Sequence, residues 1–253
     1  MSVKLDEVLR ELKAVLRPEQ FNDYCPNGLQ VEGRQEVRRL VTGVTACQAL
    51  IDRAIELDAD MLLVHHGYFW RGEDAVLCGI KKSRVQSLFQ HDISLLAYHL
   101  PLDVHPVLGN NAQLGKLLGF SINGDLGKQN NNSIGLTGVP EAPLDGGGLA
   151  TLIAQKLGRQ PLYIGDSAKL VRTVGWCTGA AQNFIELAVR TGVDAYITGE
   201  VSEQTVHIAR ETGIQFYAAG HHATERYGVQ AVAEYLVDKL GIEHQFVDID
   251  NPV

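Results

Sequence analysis

The sequence is poor in cysteine, in basic charge and in long apolar runs. Its four cysteines, Cys25, Cys47, Cys78 and Cys177, are scattered and form no Cys-x-x-Cys pair. That excludes a thiolate zinc knuckle and a dithiol redox pair. Free thiols fit a reducing compartment, so a cytoplasmic protein is expected. Lys and Arg number 22 against 30 Asp and Glu, a formal net charge of −8, and no basic stripe invites duplex nucleic acid. No run approaches the roughly 18 apolar residues of a membrane-spanning helix. The stretch Met1 to Arg10 is charged and amphipathic rather than a signal core. Gly-x-Ser-x-Gly, the P-loop and the dinucleotide fingerprint are all missing.

What is present is a 253-residue chain with 45% hydrophobic residues, enough for one large α/β domain or two small ones. Residues 3 to 17 carry helical spacing at Val8, Leu9, Leu12, Val15 and Leu16, and Pro18 ends that helix. Tyr24 to Gly33 reads as a loop rich in turn residues. Short apolar runs at 40–44, 61–64 and 93–98 read as strands. The first leads through Thr45-Ala-Cys-Gln48, with capping-box spacing, into a helix. Further helices are expected around Val85, Leu88 and Phe89, and around Leu114, Leu117 and Leu118, the latter after Asn110-Asn111 as caps. Gln129 to Asn132 reads as a short polar turn. Gly146 to Gly148 reads as a turn entering a helix around Leu152 to Leu157.

Shifting the numbering by 134 lays Val174–Thr178 on the first strand, Gln182 on Gln48, Asp194 on Asp60 and Gly199-Glu200 on His65-His66. Self-similarity over such a period means a duplicated domain, although any two β-α-β units share some of this pattern. The expected fold is α/β: two similar, interlinked halves with mixed sheets flanked by helices, 1–125 and 126–253, and a metal site between them.

In such sheets ligands gather at the carboxyl ends of strands. His65, His66, His99, Asp103, His221 and Glu225 all fall at or just past such ends. His221 and Glu225 lie four apart and share a face if a helix begins there. His99 and Asp103 flank Pro101, so one of the two serves as ligand and the other as supporter. His222 reads as an outer imidazole. His91, His105, His207 and His244 read as surface or packing residues. Imidazole and carboxylate without thiolate suit zinc, iron, manganese, nickel or cobalt. The surplus of donors over the three that one open catalytic zinc needs points to two metals bridged by a carboxylate, about 3.5–4 Å apart. Tyr68-Phe69-Trp70, directly after the His pair, offers either a stacking surface for a ring or an apolar plug.

The segments Asn27–Gly33, Val64–Trp70, His99–Asp103, Gly109–Ala112, Tyr196–Glu200 and Ala219–Glu225 together resemble the Nif-three-like family, whose bacterial members are often labelled GTP cyclohydrolase 1 type 2 homologues. The resemblance implies a ring-shaped homohexamer and two divalent cations per subunit, iron, zinc or manganese. His66 and Asp103 would hold one cation, His65 and His221 the other, and Glu225 would bridge both. His99 would sit beside the site, with His222 and Glu200 as further supporting groups. Two functions follow. One is a metal-dependent hydrolase of a nucleotide or related heterocycle, with His99 or His222 shuttling protons. The alternative is a non-catalytic role in metal handling, metallocofactor assembly or protein interaction.

Overall fold

The computed structural model describes residues 2–129 and 132–253, so the centre of the turn expected at Gln129–Asn132 lies outside the described residues. The chain forms two units, Met1–Leu102 with Gly228–Asp250, and Asp103–Tyr227 with Asn251–Val253.

The first unit opens with strand β1 (Val3–Lys4) and helix α1 (Leu5–Leu16), whose Leu5, Val8, Leu12 and Leu16 are all buried. That single buried face follows from the 3.6-residue period. Arg17 turns left-handed at φ 47°, Pro18 begins a 3-10 turn, and α1 stops. The segment read as a loop from Tyr24 to Gly33 contains β2 (Gly28–Val31), a short edge strand hidden from sequence by its glycine and its partial exposure. Next come β3 (Glu36–Val37), which pairs with β1, then β4 (Arg39–Thr45), α2 (Gln48–Glu56), β5 (Met61–His66), α3 (Gly79–Gln90) and β6 (Ser94–Ala97). The expected capping box does not form: Cys47 stands at the N-cap of α2 with no side-chain bond. Leu50, Ile51 and Ala54 of α2 and Val85 and Leu88 of α3 pack on Val41, Leu62, Val64, Leu95 and Ala97 of the strands. Phe89, expected on that face, is exposed.

Helix α4 (Leu100–Val104) carries the chain into the second unit, which holds α5 (Asn110–Leu118), β7 (Phe120–Gln129), β8 (Asn132–Pro140), β9 (Leu144–Asp145), α6 (Gly146–Leu157), β10 (Leu162–Ile164), β11 (Leu170–Val171), β12 (Val174–Trp176), α7 (Ile185–Thr191), β13 (Ala195–Thr198), α8 (Glu203–Thr212), β14 (Gln215–Ala218) and α9 (His221–Thr224). Gly146 to Gly148 are the first turn of α6 itself rather than a turn before it, and the Asp145 carboxylate caps it by accepting from Gly148 N at 2.7 Å. Trp176, fully buried, anchors this core with Leu114, Leu149, Ile153 and Tyr217.

Helix α10 (Arg226–Leu240) and β15 (Glu243–Phe246) return to the first unit, where β15 lies parallel to β4. The division falls at 102/103 and 227/228, and the β15–β4 pairing brings the chain's last strand into the first sheet.

The two sheets share a motif. The first runs β15-β4-β5-β6-β2 and the second β10-β14-β13-β12-β8-β7. In each, three parallel strands (β4-β5-β6 and β12-β13-β14) are followed by an antiparallel edge strand, β2 or β10. One matched side chain repeats its bonds. Asp60 Oδ2 accepts from Arg38 N and Arg39 N at 2.8 Å, and Asp194 Oδ2 accepts from Arg172 N and Thr173 N at 2.9 Å. Each carboxylate satisfies the two backbone donors that lead into the first strand of its motif.

Candidate metal centre

In the first unit, β5 ends in adjacent imidazoles. His65 is fully buried, and its Nδ1 donates to the Tyr98 carbonyl at 2.9 Å. A carbonyl only accepts, so the proton sits on Nδ1 and Nε2 presents its lone pair. His66 Nδ1 is held by Thr45 Oγ1 at 3.1 Å, the hydroxyl that sequence assigned to a capping box. His99, just past β6, sets its Nδ1 on Asp23 Oδ1 at 2.7 Å. The ring centroids lie 4.4 Å (His65 to His66), 5.1 Å (His65 to His99) and 5.8 Å (His66 to His99) apart. One donor atom from each of the three falls within 4.8 Å of the others.

The loop before β2 is the scaffold for His99. Asp23 Oδ1 accepts from Tyr24 N at 2.6 Å, and Asp23 Oδ2 accepts from Asn27 Nδ2 at 2.8 Å and Leu100 N at 2.9 Å. Burial pushes the Asp23 carboxyl up, but the hydrogen bond and charge of His99, with the Asn27 and Tyr24 donors, hold it below the usual carboxylate range. Cys25 stands in the same neighbourhood, its thiol pushed up to about 12 by burial and then by the Asp23 charge. It stays a neutral thiol, as the absence of a cysteine motif suggests.

Of the three aromatics after His66, Tyr68 is turned into the core and donates to the Ala46 carbonyl at 2.7 Å. Its ring is not available for stacking, because the segment is pinned by Gln30, whose Oε1 accepts from Tyr68 N at 2.7 Å. Phe69 packs partly on the core beneath Lys81. Trp70 alone faces the imidazoles, edge-on to His99 at 5.0 Å and 84° and 6.0 Å from His66.

The second unit brings together Asp103, His221, Glu225 and Glu200. Helix α4 tolerates Pro101 near its start and carries Asp103. Asp103 Oδ1 accepts from Asn110 Nδ2 at 3.0 Å and from Thr178 Oγ1 at 3.3 Å. Asn110 and Asn111 are buried residues of α5, whose N-cap is Gly109. They serve the site rather than capping the helix, with Asn111 Oδ1 accepting from Thr178 N at 2.9 Å. Gly220, at φ 102°, makes the corner from β14 into α9, which begins at His221. His221 Nδ1 lies 2.7 Å from Glu200 Oε1, and its Nε2 lies 3.2 Å from Glu225 Oε2. Burial would lower the His221 pKa, but bonds and charge from Glu225 and then Glu200 raise it to about 9. In the metal-free chain this imidazole keeps a proton that a cation would have to displace.

Glu225, 3% exposed, fits only because position 179 is glycine. A Cβ at Gly179 would fall 2.2 Å from Glu225 Oε1, and the residue's φ is +68°. His222 is buried and hands its backbone N–H to the Val253 carbonyl at 3.1 Å. Among the described residues, neither His222 nor Glu200 joins a three-donor grouping.

Every one of the four imidazoles thus has Nδ1 on a protein oxygen: a carbonyl, a hydroxyl and two carboxylates. Metal-ligating histidines are held in this way, and the donor set fits a divalent cation without thiolate. Sequence reasoning missed Asp23, Thr45 and Asn110. Asp23 and Asn27, four apart in the turn-rich loop, were the available signal.

No described helix is long and apolar enough to cross a membrane. The family model Duf34/NIF3 (NGG1p interacting factor 3) matches residues 3–252. A Pseudomonas aeruginosa protein named GTP cyclohydrolase 1 type 2 homolog is 54% identical, with 100% of each chain covered. A protein of the same name from Vibrio cholerae is 53% identical, covering 100% of this chain and 99% of the other. Among solved structures, that of protein ybgI, titled as of unknown function, superposes with a TM-score of 0.95 at 50% identity and covers 99% of this chain and 100% of its own. With the match running almost from end to end, the chain belongs to the DUF34/NIF3 family.

Proposed function

We propose that the chain is a dinuclear divalent-metal protein that hydrolyses a nucleotide or a related heterocycle. In this reading His65, His66, Asp103, His221 and Glu225 serve one metal pair, and six subunits form a ring. The observation that carries it is the oxygen anchor on Nδ1 of each imidazole, which holds the ring's orientation and leaves Nε2 on the opposite side. The donor sets are complementary, since the first unit offers imidazoles and the second adds the carboxylates of Asp103 and Glu225. The name shared by the bacterial relatives supports the substrate class.

When bound, a divalent pair supplies Lewis acidity to a phosphoryl or carbonyl oxygen and brings the pKa of water toward neutrality. The chain itself does the holding. Glu200 raises the basicity of His221, Asn110 and Thr178 orient Asp103, and Gly179 leaves room for Glu225. Trp70 offers a flat indole surface beside His66 for a heterocycle.

Metal-free protein reloaded with manganese, iron or zinc and assayed against a nucleotide panel tests the reading. Turnover that disappears in His65→Ala, with metal content reduced, is the expected result. Readily released metal without turnover under every loading would replace the hydrolase with the metal-handling role. Light scattering should return six subunits.

A further inference from the structure

His99 shares the build of the proposed ligands without belonging to that set of five. Its Nδ1 sits on a carboxylate, as that of His221 does, and its ring lies with those of His65 and His66. We propose that His99 is a sixth donor to the metal centre and that Asp23 is its positioning residue. This rests on the dinuclear reading above and extends it.

Asp23 is a deeply buried acid. Its side chain is 1% exposed, and burying a carboxylate is costly unless donors surround it. Four do: Tyr24 N and Asn27 Nδ2 from its own loop, and His99 Nδ1 and Leu100 N from the turn after β6. Asn27 completes the clasp by accepting from His99 N at 2.7 Å. A carboxylate fixed on Nδ1 accepts the proton of that nitrogen and holds the ring with Nε2 on the opposite side. The edge of Trp70 at 5.0 Å and Tyr24 at 6.2 Å bracket the ring against flipping. Cys25, the other nearby donor type, is kept protonated by burial and is not the ligand. A packing imidazole has no use for a buried anion behind it, whereas a cation in front of it does. The centre then has an imidazole-rich side, which favours zinc, cobalt, nickel or iron over magnesium.

Metal-free full-length protein is titrated with Co(II), with d–d absorption giving the coordination and chelator competition the affinity. His99→Gln should alter the spectrum and weaken one Co(II) equivalent by about 100-fold, and Asp23→Asn by about 10-fold. If Asp23 acts through His99, the double variant is no weaker than His99→Gln alone. His99→Asn, whose amide still donates toward Asp23, guards against misfolding: it should melt like the parent without metal yet show the same altered Co(II) spectrum and weakened equivalent as His99→Gln. An unchanged spectrum and affinity in His99→Gln, or multiplying effects in the double variant, overturns the proposal. His65→Ala is titrated alongside. Weakened binding there with none in His99→Gln sinks this inference alone, and parental affinity in both sinks the dinuclear reading.

Discussion

The two units build their strand-end arrays on the same three parallel strands and fill them with opposite chemistry. In the first, His65, His66 and His99 converge as imidazole donors, and the Asp23 carboxylate stands behind one of them. In the second, one imidazole stands among three carboxylates, with Glu200 and Glu225 on the two nitrogens of His221 and Asp103 tied to Asn110 and Thr178. The register of the duplication locates the difference. Position 179 corresponds to Thr45 and position 200 to His66. In the first unit a threonine at the turn steadies the imidazole beside it. In the second, the same turn carries Gly179, against which Glu225 packs, and Glu200 stands at the position of His66 and supports His221. A duplicated scaffold can specialise by subtraction at one turn.

That comparison can be broken most forcefully at Gly179. Gly179→Ala should cost about 2–4 kcal/mol through left-handed strain and overpacking against Glu225. It should also strip metal, as read by thermal melting and elemental analysis. A well-folded, fully loaded variant would mean that the turn does not shape the carboxylate array. Next comes Glu200→Gln, which removes the charge behind His221 and should lower metal affinity about 10–100-fold with little change in fold. The matching change in the first unit, Thr45→Val, removes one partly exposed hydrogen bond to His66. It should lower affinity by only about 10-fold and stability by about 0.5–1.5 kcal/mol. If Thr45→Val proves the more damaging of the two, the contrast between a carboxylate-rich and an imidazole-rich array is wrong.

The smallest effect lies on a histidine outside both arrays. His244 Nε2 meets Thr42 Oγ1 at 2.8 Å, and burial lowers its pKa from the ordinary 6.5. A depressed folded-state value means that the unfolded chain takes up the proton more readily, so stability declines as pH falls through 6.5. His244→Gln should flatten that decline in melting curves between about pH 7 and pH 5, with a change within about 0.5 kcal/mol at pH 7.

Much of this was legible in the chain. Apolar runs ending in histidine placed His65, His66 and His99, and the repeated Asp60 and Asp194 marked the duplication because both perform one local capping task. The groups that escaped act across long sequence distances. Thr45 looked like a capping residue because its hydroxyl partner, His66, is 21 residues away. Asp23 looked like a loop residue because His99 is 76 away. Strand β2 carries too few apolar residues to declare itself, and it forms because β6 offers an open edge. Tyr68 and Trp70 are two residues apart in one aromatic run, and only the clamp from Gln30 decides which of them turns inward.

The return of β15 to the edge of β4 bears on how the molecule is made. The second unit is spliced into the first, so a ribosome emits Asp103–Tyr227 before the last strand of the first sheet exists. The imidazole-bearing strands β4 to β6 wait, with one margin unpaired, until synthesis is nearly finished. Their sheet is therefore completed only once β15 has been made, although its other strands are encoded well before it, and a nascent chain cannot seat cations on a finished first sheet before then.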